Sequence, residues 1–164
     1  MGLGYSYKCS KCKKKYEVFT GIGMLYPQVY KETVTKVKNG KLGKEWKNLF
    51  ENMDNVAIDV EDHVYCCPEC KAWKKEKGLS LYVPANEYAL EDVKSGLPIF
   101  YGEDSIPAMM GEKPEYSLLK EYEHKCKKCG SKMHEASEEE LMNLPCPKCG
   151  GEPDPGKMGL INWD

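Results

Sequence analysis

Cys126-Lys127-Lys128-Cys129-Gly130, followed by Pro145-Cys146-Pro147-Lys148-Cys149-Gly150, is the stretch whose reading decides the fold. Two C-x2-C pairs joined by a loop of roughly fifteen to twenty residues have the spacing of a four-thiolate zinc site. One tetrahedral ion needs four sulfurs converging at about 2.3 Å, and two residues between cysteines make a tight turn that aims both sulfurs inward. The residue after the second cysteine of such a turn often needs positive φ, which glycine adopts without a Cβ clash. Gly130 and Gly150 stand there, and Pro147 presets φ early in its turn. A lone C-x-x-C beside a βαβ pattern would point to thiol redox exchange, whereas pairs that close in fours point to a metal.

The first half of the chain carries a wider copy. Tyr5 and Tyr7 precede Cys9-Ser10-Lys11-Cys12, and Tyr16 and Val18 follow it, in the alternation of two short strands around a metal-binding turn. The expected partner is Cys66-Cys67-Pro68-Glu69-Cys70, with Cys67 and Cys70 as ligands because C-P-x-C repeats the form of Cys146 to Cys149. Cys66 is then a buried free thiol or a substitute ligand. The candidate metal ligands are therefore Cys9, Cys12, Cys67 and Cys70 in one site and Cys126, Cys129, Cys146 and Cys149 in another. Two Zn2+ per chain are expected. The long segment inside the first site, about 21–55, reads as a helical insertion. Val29, Tyr30, Val34 and Val37 suit a helix from Pro27 to Lys38, and Trp46, Leu49, Phe50 and Met53 form an apolar stripe on a second, from about Gly43 to Asn52.

Beyond it, Val56, Ile58 and Val60 alternate with polar residues, and Leu79, Leu81 and Val83 read as a short strand. Asn86 suits an N-cap, and Gly96-Leu97-Pro98 ends that helix. Residues 101–116, rich in Gly and Pro and containing the Met109-Met110 pair, read as a linker or lid. Leu118 to His124 is strand-like and feeds Cys126. Ser137 with Glu140 makes a capping box for a helix from Glu138 to Asn143, and Met158 to Trp163 returns as a last strand. The expectation is an α+β protein of two zinc-ribbon-like modules with short antiparallel strands. Residues 1–100 form an N-terminal module with its helical insertion, 101–116 a linker, and 117–164 a C-terminal ribbon.

Composition sets the outer bounds. The chain has 164 residues, 30% of them charged, and a mean hydropathy of -0.63, so no run suits a membrane span. Nine cysteines and no export signal at the N-terminus point to a reducing, cytoplasmic setting, where paired cysteines are ligands more often than disulfides. All 24 basic residues are lysine, which removes the bidentate fork of arginine. Residues 1–83 hold 15 Lys against 10 acidic residues and residues 84–164 hold 9 Lys against 16, so the halves differ in sign.

Two resemblances add to this reading. The opening, an aromatic and a basic residue before Cys9-x-x-Cys12 and then an aromatic and an acid at Tyr16 and Glu17, resembles small bacterial zinc-ribbon proteins described as regulators. It departs from them at Lys13, where their turn has Gly and where positive φ would cost a side chain about 1 kcal/mol. Tyr122, Cys126-x-x-Cys129-Gly130 and Cys146-Pro147-x-Cys149-Gly150 resemble a rubredoxin, including the one appended to rubrerythrins. That resemblance implies one redox-active iron on these four cysteines and an electron-carrier role, although Ser131 stands where rubredoxins carry an aromatic.

No catalytic set emerges, since no nucleophile elbow or H-E-x-x-H is present and Glu121-x-x-His124 is a single motif where a di-iron bundle needs two. Four cysteines also close the open position that a catalytic zinc keeps. The expectation is a non-enzymatic, zinc-binding protein with two structural sites, acting as a scaffold or interaction module for a protein partner. A second reading is nucleic-acid binding by the first module, through Lys8, Lys11, Lys13, Lys14, Lys15, Lys71, Lys74, Lys75 and Lys77 with Tyr5, Tyr7, Tyr16 and Trp73 interleaved.

Overall fold

The computed structural model describes residues 2–98, 100 and 113–163. Its elements in chain order are β1 (Gly2–Lys8), β2 (Lys15–Gly21), α1 (Tyr26–Lys38), α2 (Lys44–Asn52), β3 (Ala57–Ile58), β4 (Asp62–Cys66), β5 (Trp73–Lys77), β6 (Leu81–Pro84), α3 (Glu87–Ser95), β7 (Tyr116–Lys120), β8 (His134–Glu135), α4 (Glu138–Met142) and β9 (Gly159–Trp163). The class is α+β with antiparallel strands. No helix among the described residues is long and apolar enough to cross a membrane.

The chain divides into two compact units, and both are discontinuous in sequence. One comprises residues 1–24, 61–78 and 123–164, the other residues 25–60 and 79–122. This division does not follow the contiguous 1–100 and 117–164 modules expected from the sequence. The reason lies in the strand partners. β1 pairs with β2 as expected, Tyr5 opposite Val18 and Tyr7 opposite Tyr16, but its other edge pairs with β9, Gly2 opposite Trp163 and Ser6 opposite Gly159. The last strand therefore completes the N-terminal hairpin and not a separate C-terminal ribbon.

In the first unit the strand order is β5-β4-β2-β1-β9, with β8 also pairing β4. Its core is the inward face of the hairpin, where Tyr5, Tyr7, Tyr16 and Val18 bury against Val64, Leu144 and two cysteines. Stacking of Tyr7 on Tyr16 at 4.8 Å between ring centroids follows from their being opposite one another in register. The capping box forms as read, Ser137 Oγ accepting from Glu140 N–H and Glu140 Oε2 accepting from Ser137 N–H. β5 is a strand that the sequence reading missed. Its Trp-Lys-Lys-Glu-Lys has poor β propensity, and pairing with β4 together with the ion pairs of Lys75 and Lys77 to Asp62 supplies what propensity lacks.

The second unit contains the two expected helices, α1 and α2, a three-stranded sheet ordered β3-β6-β7, and α3. Asn86 caps α3 by accepting from Ala89 N–H, and Gly96 ends it in the left-handed conformation. All of Val56 to Val60 is buried, so the polar-apolar alternation expected there does not appear as one wet and one dry face. Of the apolar stripe on α2, Trp46 is buried and donates its indole N–H to Leu79 O, while Met53 is exposed. The strand expected at Leu118 to His124 begins earlier, at Tyr116, and pairs with β6. Residues 101–112 of the expected linker, with Met109 and Met110, lie outside the described residues.

Candidate metal centres

Each C-x2-C motif folds into the same turn, held by the same two backbone hydrogen bonds. The first cysteine's N–H donates to the carbonyl five residues on, in Cys9 to Lys14, Cys67 to Ala72, Cys126 to Ser131 and Cys146 to Gly151. Its carbonyl accepts from the residue after the second cysteine: Lys13, Lys71, Gly130 and Gly150. Those four residues share the left-handed conformation, at φ of 59°, 57°, 77° and 69°. Gly130 and Gly150 adopt it freely, while Lys13 and Lys71 hold it at a steric cost of about 1 kcal/mol each.

Two clusters of four sulfurs result. Cys9, Cys12, Cys146 and Cys149 form one, and Cys67, Cys70, Cys126 and Cys129 the other, with ligand atoms within 4.8 Å of one another in each. The eight cysteines are those singled out from the sequence, but the partnership is corrected. The first motif closes with the last and the second with the third. Strand pairing dictates this. The β1–β9 ladder continues into a bridge between Cys9 and Pro153, an Asp154 N–H to Lys8 O bond and a Ser10 N–H to Glu152 O bond, which lay the turn after Cys146 beside Cys9. Likewise β4 pairs with β8, Cys66 opposite His134, so the turn that follows Cys66 meets the turn that precedes His134. The four cysteines on which the rubredoxin resemblance rests are thereby divided between two sites.

The distances fit a tetrahedral ion. Sulfurs separate by 3.5 Å for Cys9 and Cys149, 3.7 Å for Cys12 and Cys146, 3.4 Å for Cys67 and Cys129, and 3.5 Å for Cys70 and Cys126. Ligands at about 2.3 Å on a tetrahedron stand about 3.8 Å apart. Gly151 is part of the first site's geometry, and only the Gly150-Gly151 doublet hinted at it. A Cβ there would meet Lys11 Cβ at 3.0 Å, Cys9 Sγ at 3.2 Å and Cys149 Sγ at 3.4 Å. In the second site the corresponding position is Ser131, whose hydroxyl lies 3.4 Å from Cys129 Sγ.

The electrostatics prepare thiolates. The N–H groups of Cys12 and Lys11 lower Cys9 to about 6, and the Ser131 hydroxyl and N–H lower Cys129 to about 6. Cys126 is lowered by the N–H groups of Cys129 and Lys128; at Cys146 burial works against the thiolate, but the N–H groups of Lys148 and Cys149 outweigh it. At Cys70 and Cys149 a backbone N–H, from Ala72 and Gly151, favours the thiolate, yet the neighbouring sulfurs prevail and push both thiols up to about 11. Four negative sulfurs this close cannot all ionise without a cation, and each cluster has the charge deficit that one divalent metal fills.

Cys66 belongs to neither cluster. It packs half-buried against the core of its unit, and burial pushes its thiol up to about 11. His124, with Glu121 at E-x-x-H spacing, is buried and stacks on Tyr65 at 3.7 Å, with Nδ1 at 3.1 Å from Glu76 and Nε2 at 3.0 Å from Gly78 O.

The lysine-rich reading of the first module changes in its details. Tyr5, Tyr7 and Tyr16 are core residues, and the hydroxyls of Tyr7 and Tyr16 donate to Leu141 O and Leu144 O. They are not available to stack on bases. Lys74, Lys75 and Lys77 are engaged in ion pairs with Glu76 and Asp62.

Compared with known protein families, with curated proteins and with solved structures, the chain matches none.

Proposed function

We propose that each cysteine tetrad holds one zinc ion, that both ions are structural, and that the protein is a non-enzymatic scaffold whose partner is another protein. One observation carries this reading: the ligand atoms of each tetrad lie within 4.8 Å of one another. Four thiolates complete a tetrahedral shell, which leaves no position for the water or substrate of a catalytic zinc. The ions would fasten segments far apart in sequence, with Cys12 and Cys146 separated by 134 positions and Cys70 and Cys126 by 56. Structural zinc supplies roughly 10–16 kcal/mol of apparent binding free energy per site, comparable with the whole stability of a domain. Its role here is to hold a small sheet and the ends of two inserted segments, 25–60 and 79–122, which form their own compact unit.

The test is metal content per chain, with a visible spectrum, on untagged protein purified without added metal. Two zinc ions and no colour are expected. Iron with thiolate absorption would replace the scaffold with an electron carrier, and a metal-free, folded protein would refute both.

A further inference from the structure

Between the turns of the two tetrads lies a cleft of about 630 Å³, within the range of small-molecule sites. Three of the four metal turns each give it one lysine: Lys71, Lys128 and Lys148. Among the described residues none of its lining is acidic, and none of the three lysines is in an ion pair, unlike Lys74, Lys75 and Lys77 on the neighbouring strand. Trp73, Pro145 and Pro147 supply flat apolar walls, and the Trp73 indole is fixed by donating its N–H to Pro145 O at 2.7 Å.

Three lysines in a lining that holds no acidic residue call for an anion with several acceptor oxygens, and lysine meets phosphate as a point charge. The adjoining indole and proline rings call for a planar apolar group on the same ligand. We propose that this cleft binds a nucleotide unit, its phosphate on Lys71, Lys128 and Lys148 and its base against Trp73 and Pro147. A free nucleotide and a short single strand share that chemistry. The proposal rests on the tetrads being loaded, because their turns carry the lysines. The same lysines would also offset the net charge of -2 on a tetrathiolate zinc, and the experiment separates the two roles.

Full-length protein with its zinc content verified is titrated with fluorescein-labelled dT8 and, as competitors, AMP and inorganic phosphate. Binding is expected to weaken as salt is added, because lysines that neutralise phosphate release counterions. The variant Lys71→Gln/Lys128→Gln/Lys148→Gln is expected to lose tenfold or more in affinity at unchanged zinc content. The control Lys11→Gln/Lys14→Gln/Lys127→Gln removes the same charge outside the cleft and is expected to stay within threefold. Competition by AMP well below the concentration of phosphate needed supports the base contact. AMP equal to dT8 per site identifies a free nucleotide, and dT8 far tighter identifies a strand. Equal loss in the two triple variants, equal competition by phosphate and AMP, or no binding by zinc-loaded protein overturns the proposal. Loss of zinc from the cleft variant alone overturns it too, by showing that the lysines serve the metal. A failure of zinc binding in the unsubstituted protein would instead count against the scaffold reading.

Discussion

The two cysteine clusters are built from the same turns yet set in different surroundings. In the first, Cys9 and Cys146 are buried in the main core with Tyr5, Tyr7, Tyr16 and Leu144, Cys12 is half-buried, and only Cys149 is exposed. In the second, Cys67 and Cys126 sit in a smaller cluster with Tyr65 and Met133, and both Cys70 and Cys129 are exposed. The first also closes the longer loop, which by chain entropy alone costs about 0.8 kcal/mol more than the second. Identical local chemistry can therefore serve as a core element in one place and as an edge clasp in another, and the sequence around the motifs does not reveal which.

Removing one ligand from each gives the largest separation between them. Cys146→Ser is expected to lose one zinc and to unfold the first unit, because it also opens the core. Cys129→Ser is expected to lose one zinc and keep the β1–β2–β9 ladder. Metal content with far-UV circular dichroism checks both, and equal unfolding would erase the distinction. Next in size is lability. Under a chelator and an alkylating reagent the second cluster should release its metal first, with Cys70 and Cys129 labelled before Cys9 and Cys146 in a timed peptide map. Simultaneous labelling would mean that exposure does not control release.

Acid should instead treat the clusters alike. Each has one thiol lowered to about 6, Cys9 or Cys129, and one raised to about 11, Cys149 or Cys70. In the metal-free fold a lowered thiol contributes stability that is present above its ordinary value of 9.0 and is lost as pH falls through about 6. A raised thiol contributes below 9.0 and loses its contribution as pH rises through about 11. Metal competes with protons for these sulfurs, so zinc should be retained at pH 7 and leave both clusters in one step with a midpoint below about 6. Indicator-dye titration would expose two steps if burial also set proton competition.

The smallest effects belong to the turns. Lys13→Gly in the first cluster and Lys71→Gly in the second should each relieve left-handed strain, raising stability by up to about 1 kcal/mol less the entropy glycine adds to the unfolded chain. Equal gains by denaturant melts would support the equivalence of the turns. Gly151→Ala, crowding Cys9 Sγ, should lower stability in the first cluster only.

Much of this was legible in the residues themselves. The turns, the hairpin of Tyr5, Tyr7, Tyr16 and Val18, the capping box at Ser137 and the cap at Asn86 are local, and each is set by residues within a few positions of one another. The partnership of the motifs is not local. It follows from Gly2 meeting Trp163 and Cys66 meeting His134, pairings whose uncharged or mixed strands carry no signature of their partner. β5 escaped because its lysines look like a solvated charge run until Asp62 is placed beside them.

The nested closure of the motifs also imposes an order on birth. At about 5–20 residues per second of synthesis, Cys146 follows Cys12 by roughly 7–27 s, whereas Cys126 follows Cys70 by roughly 3–11 s. On the ribosome the inner clasp is complete while the outer one is still half made. Throughout that interval Cys9 and Cys12 are a two-sulfur hook with no second half, and it is then that a growing chain of this protein is most open to mispairing or to capture of a wrong metal.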